Sequence, residues 1–156
     1  MNKLFVASCL AAALALPALA QAREVTLTTR LKNYSGNNAY LAIYLTDANG
    51  AYQKTLWVAG KKAKYYKHLP GWARGGGTAA GQYDGVTGAS VGSGETLTVS
   101  TDLADNLIDA GYQIRIDSAV EDQRDVRADV VLPLTLKGAG QAASGGTYVQ
   151  SLRYDL

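Results

Sequence analysis

Cysteine is nearly absent. The one present, Cys9, stands in an apolar N-terminal stretch, so residues 23–156 offer no disulfide, no thiol nucleophile and no thiolate metal ligand. Histidine is equally scarce, with His68 alone. Any ordinary metal site would therefore rest on carboxylates and carbonyls. An excess of one charge is also missing, because 15 basic residues stand against 13 acidic ones, and loss of Lys3 would leave 14 against 13. A nucleic-acid binder should show a basic stripe, and this balance does not support one. Outside the N-terminus no apolar run approaches the roughly 20 residues that a spanning helix needs.

The N-terminus is different. Lys3 is the only charge before Arg23, Leu4 to Ala20 is rich in Ala and Leu, and Ala18-Leu19-Ala20 and Gln21-Ala22 follow. This progression reads as a secretory signal peptide, residues 1–22 at most, with cleavage after Ala20 or Ala22. The remaining residues 23–156 suffice for one exported domain with one hydrophobic core.

The pattern of the exported part is short alternating runs separated by turns. Val25–Leu31, Ala39–Thr46, Tyr52–Val58, Glu95–Thr101, Tyr112–Val120, Val126–Leu136 and Thr147–Leu152 read as strands. Ala39–Thr46 sets Tyr40, Ala42, Tyr44 and Thr46 against Leu41, Ile43 and Leu45, the period of a half-buried strand. Asp47-Ala48-Asn49-Gly50 is a turn, which makes 39–58 a hairpin. Pro133 assigns its strand to an edge or a bulge. The expected core is Leu41, Ile43, Leu45, Leu97, Val99, Ile114 and Ile116. Thr101–Ala110 is open to two readings, a short helical turn capped by Asp102 or an extended connection. From Gly71 to Gly94 the local glycines argue against a continuous helix or strand. Seven or eight short strands indicate an all-β, immunoglobulin-like β-sandwich.

Three groups of residues invite a chemical reading. Asp117, Glu121, Asp122, Asp125 and Asp129 would form a cation-binding group, although the interspersed Arg115, Arg124 and Arg127 read more simply as a salt-bridged surface. Lys64, Tyr65, Tyr66, Lys67, His68 and Trp72 mix cations with large rings. They read either as a hydrated loop whose Tyr65 and Trp72 cover the edge of the core, or as a partner-binding face in which Lys64, Lys67 or Arg74 balances an anion. Finally, Asp84-Gly85-Val86-Thr87-Gly88-Ala89-Ser90 would by turn chemistry alone be a compact loop with turns at Asp84-Gly85 and at Gly88.

That last string resembles the covalent flavinylation motif Asp-x-x-(Ser/Thr)-Gly-Ala-(Thr/Ser) of exported electron-transfer proteins, here with serine in place of the commoner threonine. The resemblance makes Ser90 the hydroxyl that receives FMN through a phosphoester, with Asp84, Thr87, Gly88 and Ala89 in the recognition positions. About four fifths of the exported chain is also similar to a bacterial periplasmic family, domain of unknown function 2271. The likeness is carried by the Tyr40-to-Leu45 strand, Asp47-Ala48-Asn49-Gly50, Thr55-Leu56-Trp57, the Lys64-to-Trp72 segment, Asp84 to Ser90, and Gly111-Tyr112 with Ile114 and Ile116. That resemblance implies a fold like the immunoglobulin-like module of flagellar-hook capping proteins. It further implies partnership with a flavin transferase and a PepSY-type membrane reductase, and a link to iron acquisition. A flavin brings its own redox chemistry, so the protein would supply attachment, shielding and electrostatics rather than a catalytic triad. The competing expectation is a non-redox periplasmic protein-binding or structural module using the same loop.

Overall fold

The computed structural model describes residues 21–156; the expected signal peptide, apart from its last two residues, lies outside them. Among the described residues nine strands form: β1 (Ala22–Leu31), β2 (Tyr40–Thr46), β3 (Tyr52–Ala59), β4 (Thr87–Gly88), β5 (Thr96–Ala104), β6 (Gln113–Ala119), β7 (Val126–Pro133), β8 (Ala142–Ser144) and β9 (Val149–Asp155). One sheet has the order β5-β1-β9-β8 and the other β4-β3-β2-β6-β7. The fold is mostly β and its two sheets are not closed into a barrel. Beyond the seven segments read as strands the structure adds β4 and β8, too short to leave an alternating pattern.

Alternation places the main core between the sheets. Val25, Leu27 and Leu31 of β1 meet Leu41, Ile43 and Leu45 of β2, with Ile114, Ile116, Leu152 and Tyr154 filling the space. Six of the seven expected core residues are buried, and Leu97 is the exception: it is half-buried and packs at the margin. It lies on β5, an edge strand with a neighbour on one side only. The hairpin forms as expected, closed by Asp47, whose Oδ1 accepts from the N–H groups of Asn49 and Ala51, both at 2.9 Å. Gly50 supplies the positive φ of 81° that this turn requires. Pro133 ends β7, which is indeed an edge strand. In Thr101–Ala110 the extended reading holds, since β5 runs to Ala104 and only Asp105–Leu107 coils into a 3-10 turn. Asp102 caps nothing; it pairs with Glu24 in the sheet.

Two expectations about the middle of the chain are corrected. β2 is buried on both faces rather than one. Its Ala42 and Tyr44 lie beneath a second cluster made with Val58, Tyr66, Leu69 and Trp72. That layer consists of a 3-10 turn, Ala63–His68, and a six-residue helix, α1 (Pro70–Gly75), at the start of the glycine-rich stretch in which no continuous helix was expected. Packing explains the glycines: a Cβ at Gly71 would stand 2.6 Å from the Tyr44 hydroxyl, and one at Gly75 the same distance from Tyr52 Cβ. Pro70 at the first turn and Gly76 at the end, with φ 107°, punctuate the helix. Burying a ring of about 150–250 Å² contributes roughly 4–6 kcal/mol, so Tyr66 and Trp72 offset the low helix propensity of this segment.

Candidate functional site: the cleft at Ser90

Within the motif only Thr87–Gly88 is strand, and it pins the loop to β3. Asp84-Gly85 does turn, with Gly85 at φ 73° and Val86 N–H donating to the Tyr83 carbonyl at 3.2 Å. Beyond it, β4 lies parallel to β3, pairing Thr87 with Val58 and Gly88 with Ala59. Val58 N–H donates to the Val86 carbonyl and Gly60 N–H to the Gly88 carbonyl, each at 2.8 Å. Past Ser90, Val91 and Ala39 exchange two backbone hydrogen bonds of 2.7 and 3.0 Å. Ser90 is thus held between anchors at Gly88, two residues before it, and Val91, directly after it. The turn expected at Gly88 is absent, as this glycine is extended and does not have positive φ.

Ser90 lines a cleft of about 940 Å³. Tyr40, Lys62, Tyr65 and His68 come to it from the start of β2 and the segment before α1, and Glu121, Asp122 and Asp125 from the loop between β6 and β7. Tyr40 and Tyr65 meet edge to face at 5.7 Å, and Lys64 Nζ sits 4.9 Å from the Tyr65 ring centre. His68 Nδ1 and Asp125 Oδ2, 3.0 Å apart, bridge the two contributing groups, while Asn37 Nδ2 donates to Glu121 Oε2 at 2.6 Å.

Of the residues singled out by sequence, Ser90, Tyr65, His68, Glu121, Asp122 and Asp125 reach this cleft. Asp84, Thr87 and Ala89 are exposed without lining it, and Gly88 is half-buried. Lys64, Lys67 and Arg74 are exposed without lining it. Tyr66 and Trp72 are corrected from partner-binding to interior positions, 3% and 0% exposed. The Tyr66 hydroxyl donates to the Gly60 carbonyl at 2.8 Å, Trp72 N–H to Asp117 Oδ2 at 2.8 Å and Trp72 Nε1 to Thr55 Oγ1 at 2.9 Å. Burial, with the neighbouring Tyr83 and Tyr40 hydroxyls, pushes the Tyr66 phenol up. The cation lining the cleft is Lys62, which the spacing of the lysines did not single out. Tyr40, Asn37 and Asn38 were also missed, because they carry no local signal beyond strand and turn.

The acidic group separates. Asp117 and Asp129 are buried hydrogen-bond acceptors, while Glu121, Asp122 and Asp125 face the cleft. Among the described residues no three His, Cys, Asp or Glu side chains gather as a metal site would need. The salt-bridged surface is not found either: the ion pairs among the described residues are Arg23–Asp105, His68–Asp125 and Arg153–Asp155, none involving Arg115, Arg124 or Arg127.

A family model described as "Predicted periplasmic protein (DUF2271)" matches residues 22–151. The chain belongs to that family. It is accordingly a periplasmic protein, and among its described residues no helix is long and apolar enough to cross a membrane. No curated protein and no solved structure matches it. The DUF2271 match takes in β1 to β8 and therefore every segment that builds the cleft.

The cleft has three features that small-molecule sites use. Its volume lies within the roughly 300–1,000 Å³ of small-molecule sites. Tyr40 and Tyr65 provide aromatic surface for a planar ring system, and Lys62 provides a counter-charge for a phosphate. Ser90 contributes a hydroxyl-bearing side chain to the lining.

Proposed function

We propose that this DUF2271 protein is a periplasmic electron carrier with FMN attached to Ser90. The reading is supported by Ser90 lining the same cleft as two tyrosines and a lysine. Asp84, Thr87 and Ala89, exposed on the approach to Ser90, form the surface that a flavin transferase reads. Lys62 balances the phosphate, and Tyr40 and Tyr65 cover the ring. Bound there, the isoalloxazine supplies electron transfer that no side chain offers. Glu121, Asp122 and Asp125 oppose the added negative charge of the reduced ring, which lowers its potential. Lys64, Tyr65 and Lys67 form the docking face for an acidic region of a PepSY-type membrane reductase, in a chain serving iron acquisition. The immunoglobulin-like assignment of the sandwich belongs to the same reading and is supported by the packing of the two sheets.

The test is co-expression with an active, matching flavin transferase, followed by intact-mass measurement and peptide mapping. An FMN adduct on Ser90 is expected, lost in Ser90→Ala, retained in Ser90→Thr and slowed in Thr87→Ala. Reductive titration and rapid mixing with the reductase then show whether electrons pass. Absence of any adduct would reject the carrier and leave the non-redox binding module.

A further inference from the structure

The motif glycine is selected by packing. Gly88 lacks positive φ, so its conformation is open to other residues, but a Cβ there would lie 2.6 Å from Trp57 Cζ2 and 3.3 Å from Cε2. Ordinary contact begins near 3.4 Å, so a methyl group would force strand and ring apart by about 0.8 Å. Trp57 stands on β3 directly before Val58, whose N–H holds the Val86 carbonyl, and three residues before Gly60, whose N–H holds that of Gly88. The indole packs against the main core, and its buried Nε1 makes no hydrogen bond. Packing alone therefore sets the ring position, which fixes how closely β4 can approach β3.

We propose that Trp57 is the positioning residue of the site: its ring admits only glycine at position 88, and the β3–β4 hydrogen bonds that this close approach allows set the point at which the Ser90 hydroxyl enters the cleft. The inference rests on the reading of Ser90 as acceptor for its consequence in flavin transfer. The packing relation itself is independent of flavin. A displacement near 1 Å at a reacting centre costs up to about 100-fold in rate, so Gly88→Ala should slow adduct formation by roughly 10- to 100-fold.

The decisive comparison is between Gly88→Ala and the double variant Gly88→Ala/Trp57→Ala, with Trp57→Phe replacing Trp57→Ala if the latter does not fold, since phenylalanine also lacks Cζ2. Two quantities are measured: the rate of FMN incorporation by purified transferase, and amide exchange at Val58 and Gly60, which requires no flavin. Gly88→Ala should lose incorporation rate and protection at Gly60, and the double variant should recover both. A glycine needed for backbone freedom would not be rescued by removing a ring. Wild-type incorporation by Gly88→Ala, or a folded double variant as slow as Gly88→Ala, would overturn the proposal. Should the wild type take no FMN, the carrier reading fails; the exchange data still decide on Trp57, with recovered Gly60 protection upholding the packing role and undiminished protection in Gly88→Ala refuting it.

Discussion

Replacement of Asp129 by asparagine should destabilise the fold by an amount set by countable hydrogen bonds. Between β6 and β7 the register shifts, Ile116 pairing with Val130 and Ser118 with Val126. In the extra length of β7, the Asp129 side chain is left 6% exposed. Its Oδ2 accepts from the Ser118 hydroxyl at 2.7 Å, Tyr148 N–H at 2.8 Å and Val149 N–H at 2.9 Å, and its Oδ1 from Gly146 N–H at 3.0 Å and from Thr147 N–H. Residues 146–149 lead into β9 of the other sheet, so the carboxylate ties the two sheets together. Asparagine has one acceptor oxygen, and its NH₂ would confront either two or three of these donors. With the asparagine oxygen in the Oδ2 place, Gly146 N–H keeps its 2.8 Å bond to the Asp129 carbonyl and Thr147 N–H loses its partner, so the loss should be about 1–3 kcal/mol at pH 7. Burial pushes the Asp129 carboxyl up, but bonds from the Thr147, Val149 and Tyr148 amides and the Ser118 hydroxyl outweigh it and hold it below the ordinary value. Since the folded value is the lower one, this stabilisation is fully present above the unfolded value of about 3.9 and is lost as pH falls through the folded value. Urea denaturation of both proteins at pH 7 and at steps down to the acid limb would test this, with the variant expected to lose less stability on acidification. A difference under about 0.5 kcal/mol at pH 7, or parallel acid limbs, would refute the assignment, because surface changes stay within that range.

Three further expectations concern the core, the docking face and the N-terminus. Ile43→Ala and Ile116→Ala, both at fully buried positions, should each cost about 2–5 kcal/mol in chemical denaturation; Leu97→Ala should cost clearly less, and equal losses would place Leu97 in the interior. Charge reversal of Lys64 and Lys67 should slow association with an acidic partner more at low salt than at high salt, whereas Trp72→Ala should lower stability by about 3–5 kcal/mol; a stable Trp72→Ala protein that only failed to bind would return Trp72 to the surface. N-terminal sequencing of the exported protein should find Gln21 first, since the Gln21 carbonyl accepts from Asp105 N–H at 2.8 Å and Ala22 pairs with Ala104; a chain beginning at Arg23 would show that this first pairing is dispensable.

The amino-acid order by itself determined the local elements. Alternation of Leu41, Ile43 and Leu45, the Asp47-to-Gly50 turn and the edge position forced by Pro133 depend on near neighbours in the chain, and period and turn chemistry act at that range. Only the tertiary structure decided what covers the second face of β2. Tyr44 and Trp72 look amphipathic in sequence, and they are interior because Gly71 and Gly75 let α1 approach the sheet closely. The same holds for the carboxylates: Asp129 and Asp125 are four residues apart in one run of acids, yet one binds backbone amides from residues 146–149 and the other pairs with His68. The motif string was visible as a string, but its parallel seat on β3, its contact with Trp57 and the cleft shared with Tyr40 and Lys62 join segments far apart in the chain. Such encounters are set by the packing of sheets and covering segments, which no local periodicity encodes.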